Sequence, residues 1–486
     1  MSTYTNSPVG LLAGAASVSI NPPLPSDPQG YIRRAKAVRR YSDTLEIRAL
    51  ALRSDEASVI IVTADVVDLD QTFSDEIRSQ ISQATGVRVE NILLNSSHSH
   101  AALWPKATGK LHGEFVEHTP AELAYFASIP FDYATAASLA VAALEPARIS
   151  GGTGKAPGLA VNRRERTSDG RTILGWNREA FIDEEVPTIR IDALNGKAIA
   201  TIVGFGCHPV CVGPEVEESS TDFVGPLRRT VEAIRGGLCL FLQGAAGNIL
   251  PLQAFCDFTG PEVAMGSRLG LEAAHCVADQ DPIAREIKKV AYGSVTPISL
   301  YRRTTIDPQP KQLLASLRTI VSLPLLTAPS GKELTTELDQ RRTEFKTKEM
   351  EGAPRAVLNP IRYHLRWLET MLERLARGPL PTSLPGEIWA VRIGAVAIVA
   401  TPGEIFSEIG YDVRRQSPFK TTIFAGYSQA VLGYVATAAE YPHGGYEPSV
   451  SHRGYWHPAP FSPDVGSIIT TECLRLLREL AAMAPI

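Results

Sequence analysis

Two histidines separated by a single residue, His98 and His100, follow a largely apolar run that ends at Leu94. The composition of that run is typical of a buried strand, and its last side chains would face open space. Residues two apart in an extended segment share one face, so both imidazoles could address one point. Because imidazole is the commonest metal ligand, the pair predicts a metal site. Ordinary hydrogen bonds to both rings are the alternative interpretation.

A third histidine and a glutamate could complete such a site. His208 stands where another apolar run ends, just before Pro209, which discourages continuation of a strand. Glu404 follows Thr401-Pro402-Gly403, a break that would turn its side chain outward, although it could equally cap a following helix. Two neutral imidazoles and a carboxylate are a common catalytic zinc set that leaves one position open.

The predicted strands all end in polar or glycine-rich residues. We expect an α/β fold with mixed β-sheets flanked by helices, in which the ligand crevice lies at the carboxyl ends of the strands. Five such ends therefore predict one shared site. The runs are Ser58–Ala64, Asn91–Leu94, Ile199–Phe205, Cys239–Leu242 and Val396–Ala400.

Helical patterns fill the intervals between these strands, and a different pattern follows them. From about Gln309 to Arg377 the sequence becomes charged and amphipathic, with proline breaks, which predicts a helical insertion within a single domain over residues 1–486. The earlier helices are expected at Phe73–Ala84, Ala121–Ala143 with an interruption, Gly225–Ile234 and Gly260–Ala278.

Composition narrows the class of protein. The chain of 486 residues has 44% hydrophobic and 21% charged residues, which is the profile of a globular protein and excludes coiled coil, collagen or disorder as the main state. A net charge of −4 does not favour nucleic acid or an acidic membrane surface as a partner. The N-terminus lacks the layout of a secretion signal and no apolar run could span a bilayer, so we expect a cytoplasmic protein without stable membrane insertion.

Cysteine usage agrees with that location. Six cysteines in a chain of this length are too sparse for a disulfide scaffold. Cys207 and Cys211 bracket His208, but a Cys-x-x-x-Cys pair without a second pair is a weak zinc signal.

Several motifs in series resemble the catalytic domain of the neutral/alkaline, non-lysosomal ceramidase family. The likeness runs from about Gly14 to about Glu447, and its specificity comes from the order of the motifs rather than from any one of them. The motifs are Asn95–His100, Phe205–Pro209, Ser220–Gly225, Gln243–Asn248, Pro402–Glu404 and Ala439–Glu447.

The resemblance implies a zinc amidase and assigns roles to particular residues. It implies His98, His208, Glu404 and Tyr441 as metal ligands, and it alone selects Tyr441 over Tyr434 and Tyr446, since a tyrosine there is otherwise structural. It also implies two catalytic residues beside the metal, His100 and Arg163; Arg163 could otherwise be a surface charge.

Two departures limit how far the resemblance extends to the substrate. The family's Gly-Asp-Val-Ser-Pro segment reads Gly247-Asn248-Ile249-Leu250-Pro251 here, so a serine nucleophile at that position is impossible. The chain also ends without the C-terminal sandwich domain of typical ceramidases. An enzyme of this kind need not meet ceramide at a membrane.

The predicted activity is hydrolysis of an amide in a small or lipid-like N-acyl substrate by water that Zn²⁺ activates. In this scheme His100 moves a proton to the leaving nitrogen and Arg163 stabilises the oxyanion. A zinc esterase or lactonase, or a catalytically silent metal-binding protein, are the alternatives, and a homo-oligomer is compatible with the sequence. Nucleotide binding is disfavoured, because Gln243–Gly247 lacks both the full dinucleotide fingerprint and a Lys-Ser or Lys-Thr.

Aromatic residues outside these motifs have two interpretations. Trp104, Trp176 and Trp456 could shape the pocket or simply belong to the core.

Overall fold

The structure is a computed structural model that describes residues 10–26, 30–31, 34, 36–102, 119–280, 285–293, 298–305 and 312–483. The described residues form α/β layers with mixed sheets, as the sequence predicts. The strands are β1 Leu12–Ser19, β2 Arg40–Tyr41, β3 Glu46–Arg53, β4 Ser58–Ala64, β5 Ile92–Ser96, β6 Glu145–Lys155, β7 Ala160–Arg166, β8 Thr172–Asn177, β9 Glu185–Ala193, β10 Ala198–Phe205, β11 Glu218–Ser219, β12 Leu238–Gln243, β13 Ile249–Pro251, β14 Arg285–Gly293, β15 Ile298–Thr305, β16 Leu314–Pro324, β17 Ser383–Ile393, β18 Val396–Ala400, β19 Glu404–Ile405, β20 Thr421–Ala425 and β21 Tyr434–Val435.

The helices lie outside the sheets. They are α1 Gln71–Thr85, α2 Pro120–Ala142, α3 Val224–Arg235, α4 Pro261–Ala278, α5 Gly331–Met350, α6 Arg355–Arg377, α7 Ser407–Gln416 and α8 Val465–Ala482. The bounds of the four helices predicted before residue 300 are thus confirmed to within about two residues at each end, but the interruption predicted within Ala121–Ala143 is wrong, since α2 continues through Pro130. No helix of the described residues has the length and apolarity needed to cross a bilayer.

Two sheets pack face to face at the centre of the molecule. The larger has the strand order β12-β10-β9-β6-β1-β3-β4-β5, and the smaller has the order β16-β17-β18-β20. The apolar residues between them include Ile61, Ile202, Trp389 and Ile423, all fully buried. The runs that form β4, β10 and β18 are apolar on consecutive residues because both faces of these strands are covered.

Helices cover the outer face of each sheet. Helices α1 and α2 pack on the larger sheet around Phe73, Ile77 and Tyr133, and α3 and α4 cover its β10–β12 edge. Helices α7 and α8 cover the smaller sheet. The result is a four-layered arrangement of helices, sheet, sheet and helices.

The predicted helical insertion is shorter than the charge pattern indicated. Residues 309–311 lie outside the described residues, and Leu314–Pro324 is strand β16, whose side chains partly alternate between covered and exposed positions. Helices begin only at Gly331, where Ser330 caps α5 and exchanges hydrogen bonds with Glu333. Helices α5 and α6 pack against each other and bury Trp367 with Trp456.

Candidate metal centre

Several of the polar strand ends meet at one edge of the two sheets. Strands β4 and β5 are parallel, as are β10 and β12, and β18 and β20, so the carboxyl end of each pair opens to one side. Two buried amides tie these ends together. The Gln243 amide donates to the carbonyl oxygens of Ser97 and Cys207, and the Asn95 amide donates to the Gly426 carbonyl. Asp65 stays outside this group, because Arg228 donates to both of its carboxylate oxygens.

His98 and His100 approach each other for a reason other than strand alternation. Strand β5 ends at Ser96, and His98 adopts a left-handed backbone with φ 65°. A non-glycine residue in this region stores strain, which is typical of functional sites. The resulting turn brings the two Nε2 atoms to 3.2 Å from each other. The prediction that both rings address one point is met, but by a turn rather than by a strand.

Backbone carbonyl oxygens fix which ring nitrogen of each histidine faces the cluster. The Nδ1 atoms of His98, His208 and His100 lie 2.7, 2.7 and 2.6 Å from the carbonyl oxygens of Val67, Ala246 and Gly30. A carbonyl oxygen only accepts, so each Nδ1 carries the proton. In its neutral form each ring therefore turns an unprotonated Nε2 towards the others.

Glu404 adds a negative charge to the point where these nitrogens meet. Its Oε2 lies 3.0 Å from Nε2 of His208 and 3.4 Å from Nε2 of His98. Strand β19 brings Glu404 there through a close approach to Gly247, where a Cβ atom would lie 2.5 Å from the Glu404 carbonyl oxygen. Glycine at this position therefore lets the two backbones approach each other closely beside the site.

Burial and mutual charge shift the pKa values of these groups. Burial alone would lower the pKa of His98, but the Glu404 carboxylate raises it. Burial and the neighbouring histidines hold the pKa of His100 well below its usual range, and burial with Arg163 lowers that of His208 to about 4. Burial opposes ionisation of Glu404, yet His98 and His208 hold its pKa well below the usual value. The cluster thus favours one ionised carboxylate with positive charge beside it.

Arg163 lies against the cluster, held by a buried ionic network. Its Nη1 is 3.2 Å from Nε2 of His208, and its Nε donates to Glu447 at 2.7 Å. Glu447 also accepts from Arg164. Arg163 is only 3% exposed, so the alternative of a surface charge is wrong.

Tyrosines surround the cluster, but Tyr441 is not among those that reach it. The Tyr441 hydroxyl donates to the Phe461 carbonyl oxygen at 2.8 Å, and its ring packs in the core beside α8. The Tyr434 hydroxyl instead lies 3.3 Å from Nε2 of His208. Of these two tyrosines, it is therefore Tyr434 and not Tyr441 whose hydroxyl lies beside the cluster.

Two further tyrosines were missed by the sequence analysis. Tyr427 donates to Oε2 of Glu404 at 3.1 Å, and Tyr455 donates to Oε1 of the same carboxylate. The pairing of β19 with β21 places Tyr434 opposite Glu404 and so brings it to the site. Both strands have only two residues, too few for the alternation of apolar and polar residues by which a strand is predicted from sequence.

Leu250 forms part of an apolar wall near the cluster. It is 3% exposed and packs with Val161 and Val210, and Val161 lies opposite it in the β7–β13 pairing. Tyr31 joins this wall, and the centroid of its ring lies 5.1 Å from that of His100. The position where the ceramidase motif has serine is thus apolar in both chemistry and surroundings.

The tryptophans considered as pocket residues lie elsewhere or outside the described residues. Trp104 belongs to the latter group. Trp176 is half exposed and carries Arg178 over its ring, and Trp456 is buried against α6.

The donor set fits a metal ion. Among the described residues, His98, His100 and His208 have ligand nitrogens within 4.8 Å of one another. In their neutral form the three rings offer their Nε2 lone pairs together with the Glu404 carboxylate, which is a set of donors that can bind one cation. Imidazole and carboxylate donors together suit Zn²⁺.

Comparison with known proteins identifies the fold. No family model matches the sequence, and no curated protein matches it. The solved structures that match include two that cover nearly the whole chain. The neutral ceramidase from Pseudomonas aeruginosa matches with 16% identity and a TM-score of 0.64 over 99% of this chain and 76% of that one. A ceramidase complexed with C2 matches with 16% identity and a TM-score of 0.66 over 98% and 77%. The chain therefore has a neutral-ceramidase-like fold, in agreement with the resemblance seen in the motifs.

Proposed function

We propose that this protein is a metal-dependent hydrolase that cleaves the amide bond of an N-acyl substrate with activated water. The observation that carries the proposal is that three Nε2 atoms and the Glu404 carboxylate converge on one point. The Nδ1 atom of each ring donates its proton in a hydrogen bond to a backbone carbonyl oxygen, which leaves Nε2 to bind a metal. The similarity of the fold to ceramidases supports the choice of an amide.

The proposed metal ligands are His98, His208, Glu404 and Tyr434. Tyr434 replaces Tyr441 in this set because its hydroxyl lies beside Nε2 of His208. A Zn²⁺ ion bound there supplies a Lewis acid and lowers the pKa of water towards about 7. Arg163 and the tyrosines that donate to Glu404 keep the donor atoms in place.

Arg163 is proposed to bind the oxygen of the scissile carbonyl as negative charge develops on it. Glu447 holds the guanidinium from the side away from the cluster, which fixes its direction before substrate arrives. Preorganised donors of this kind act strongly in a buried site.

His100 is proposed to accept a proton from the attacking water on its Nε2 atom and to deliver that proton to the leaving nitrogen. Its ring is neutral, its Nδ1 is held by the Gly30 carbonyl, and its Nε2 faces the cluster. It is less buried than the other two histidines, as expected of a group that meets the substrate.

Water is proposed to attack the carbonyl directly. Leu250 offers no nucleophile, so no ester between the acyl group and a side chain at this position can form. The apolar wall of Leu250, Val161 and Val210 favours an acyl group with hydrocarbon character.

The decisive experiment combines metal analysis with hydrolysis of matched substrates. Purified protein is expected to hold one zinc per chain and to cleave N-acyl amides. Ester analogues with the same acyl group test the amide preference, and faster cleavage of the esters alone would indicate an esterase or lactonase. His98→Ala is expected to lose zinc and turnover together, whereas Tyr441→Phe keeps both. Full zinc and full rate in His98→Ala would refute the proposal, and zinc without any hydrolysis would indicate a silent metal-binding protein.

We also propose a cytoplasmic location. All six cysteines are free, which supports a reducing compartment.

A further inference from the structure

The strands β14 and β15 form a two-stranded ribbon that no other part of the described structure buries. Their pairing runs from Arg285 opposite Thr305 to Gly293 opposite Ile298. None of its described side chains is buried, and Tyr292 and Tyr301 are 72% and 66% exposed. A two-stranded ribbon without a packing partner is marginally stable in water, so this surface calls for one.

Apolar side chains concentrate at the end of the ribbon next to the connection between its strands. Tyr292, Ile298 and Leu300 lie there, and each is at least 41% exposed. Tyr301 follows directly and is paired with Lys289. Exposed aromatic and aliphatic groups at one end are typical of a surface that enters an apolar phase.

Basic side chains form the half of the ribbon nearer the rest of the molecule. Lys288 pairs with Arg302 across the strands, and Ile287 pairs with Arg303. Four side chains in this half are positively charged: Lys288, Lys289, Arg302 and Arg303. The negative charge of Glu286, which lies 2.8 Å from Lys288, offsets one of them. The Lys289 ammonium lies over the Tyr292 ring at 3.7 Å. The net charge of −4 for the whole chain therefore conceals a local basic surface.

We propose that the β14–β15 ribbon attaches the protein to an anionic lipid surface. The aromatic and aliphatic end would enter the headgroup region, and the cations behind it would meet the lipid phosphates. A second copy of the chain would bring like charges of two ribbons together, which opposes self-association through this surface. Nucleic acid would leave Tyr292, Ile298 and Leu300 in water, whereas hydrocarbon accounts for them.

Vesicle co-sedimentation with the full chain tests the proposal. The protein is expected to bind vesicles of phosphatidylcholine with phosphatidylglycerol, to bind pure phosphatidylcholine weakly, and to dissociate as salt rises. The double variant Lys289→Glu/Arg302→Glu should lower partitioning by about 25-fold or more, since each basic residue near the surface contributes about fivefold. Tyr292→Ser/Leu300→Ser should lower it by about tenfold or more.

A charge-matched variant on another surface serves as the control. Lys332→Glu/Lys346→Glu changes the net charge equally on the exposed face of α5 and should leave partitioning within about twofold of wild type. Equal loss in the control, or unchanged binding in both ribbon variants, would overturn the proposal. So would a failure of the wild-type protein to bind anionic vesicles, or a dimer that the ribbon variants dissociate.

This inference stands apart from the proposed hydrolase. Turnover of a water-soluble N-acyl substrate by the ribbon variants should equal that of wild type, because the ribbon contributes no residue to the metal centre. Loss of vesicle binding with turnover intact therefore separates the two proposals.

Discussion

The molecule holds two histidine clusters that each contain an arginine and a carboxylate but differ in how their ring nitrogens are arranged. The first is His98, His100 and His208 with Glu404, and the second is His364, His452 and His457 near Arg453. In the first, ring nitrogens face one another and a carboxylate. In the second, the Arg453 guanidinium donates to the His364 ring and lies on the Trp367 face, 4.9 Å from the ring centroid.

Among the described residues, only the first cluster brings three histidine nitrogens close enough together to share a metal ion. The His457 Nε2 atom lies 2.7 Å from the Leu432 carbonyl oxygen, so that nitrogen carries the proton and is unavailable to a metal. Burial and the Arg453 charge lower the pKa values of His364 and His452 to about 3.

Replacing one histidine in each cluster gives the largest expected contrast. His208→Ala should abolish stoichiometric zinc and lower turnover by about 10³-fold or more, because the ion and its activated water are both lost. His364→Ala should keep zinc and turnover. Metal analysis and steady-state kinetics on both variants measure this, and retention of zinc by His208→Ala would remove the distinction between the clusters.

His100 tests whether every histidine of the first cluster has the same role. His100→Gln should keep zinc and lower turnover by about 10²-fold or more, as loss of a general acid does. Loss of zinc in this variant would make His100 a ligand instead. The pH profile of turnover should also lose the limb that His100 contributes.

The two candidate tyrosines form a matched pair for the fourth position. Tyr434→Phe should weaken zinc affinity by about tenfold to 100-fold, which is the loss expected when a group that supports a metal ligand is removed. Tyr441→Phe should change neither zinc nor turnover and should cost about 1 kcal/mol of stability through its lost hydrogen bond to Phe461. The reverse outcome would restore Tyr441 as the ligand.

Acid should destabilise the second cluster in a predictable pH window. Burial lowers the pKa of His457 to about 4, whereas an unfolded histidine titrates near about 6.5. Between these values the unfolded chain binds a proton that the folded chain does not, so stability is fully present above about pH 6.5 and falls as pH decreases towards 4. The amide of the His457→Gln variant can still donate to Leu432. The melting temperature of this variant should fall less steeply with decreasing pH, because its unfolding takes up about one proton fewer. An unchanged slope would mean that His457 does not titrate on unfolding.

The sequence predicted the parts of the fold and site that local patterns encode. The buried strands β4 and β18 were predicted with their observed bounds, since consecutive apolar residues mark strands covered on both faces. His98, His208 and Glu404 were predicted because each follows a strand whose end is visible in the sequence. These three side chains do come together in the structure.

The remaining features depend on contacts that no local pattern carries. Tyr434 and Tyr441 both lie in short irregular segments, and only the pairing of β19 with β21 distinguishes them. The left-handed turn at His98 depends on hydrogen bonds from its backbone to Val66 and from its ring to Val67. Strand β16 was missed because its polar and charged residues resembled those of the helices that follow.

The buried amides of Asn95 and Gln243 affect how the candidate metal centre responds to changes of pH and salt. Neither side chain titrates, and salt does not screen hydrogen bonds between neutral groups in the interior. The hydrogen bonds that join these loops therefore do not depend on the protonation of Asn95 or Gln243. Mild acid should release a metal ion bound at the proposed centre before these hydrogen bonds are lost, and returning the ion at neutral pH should restore binding without refolding.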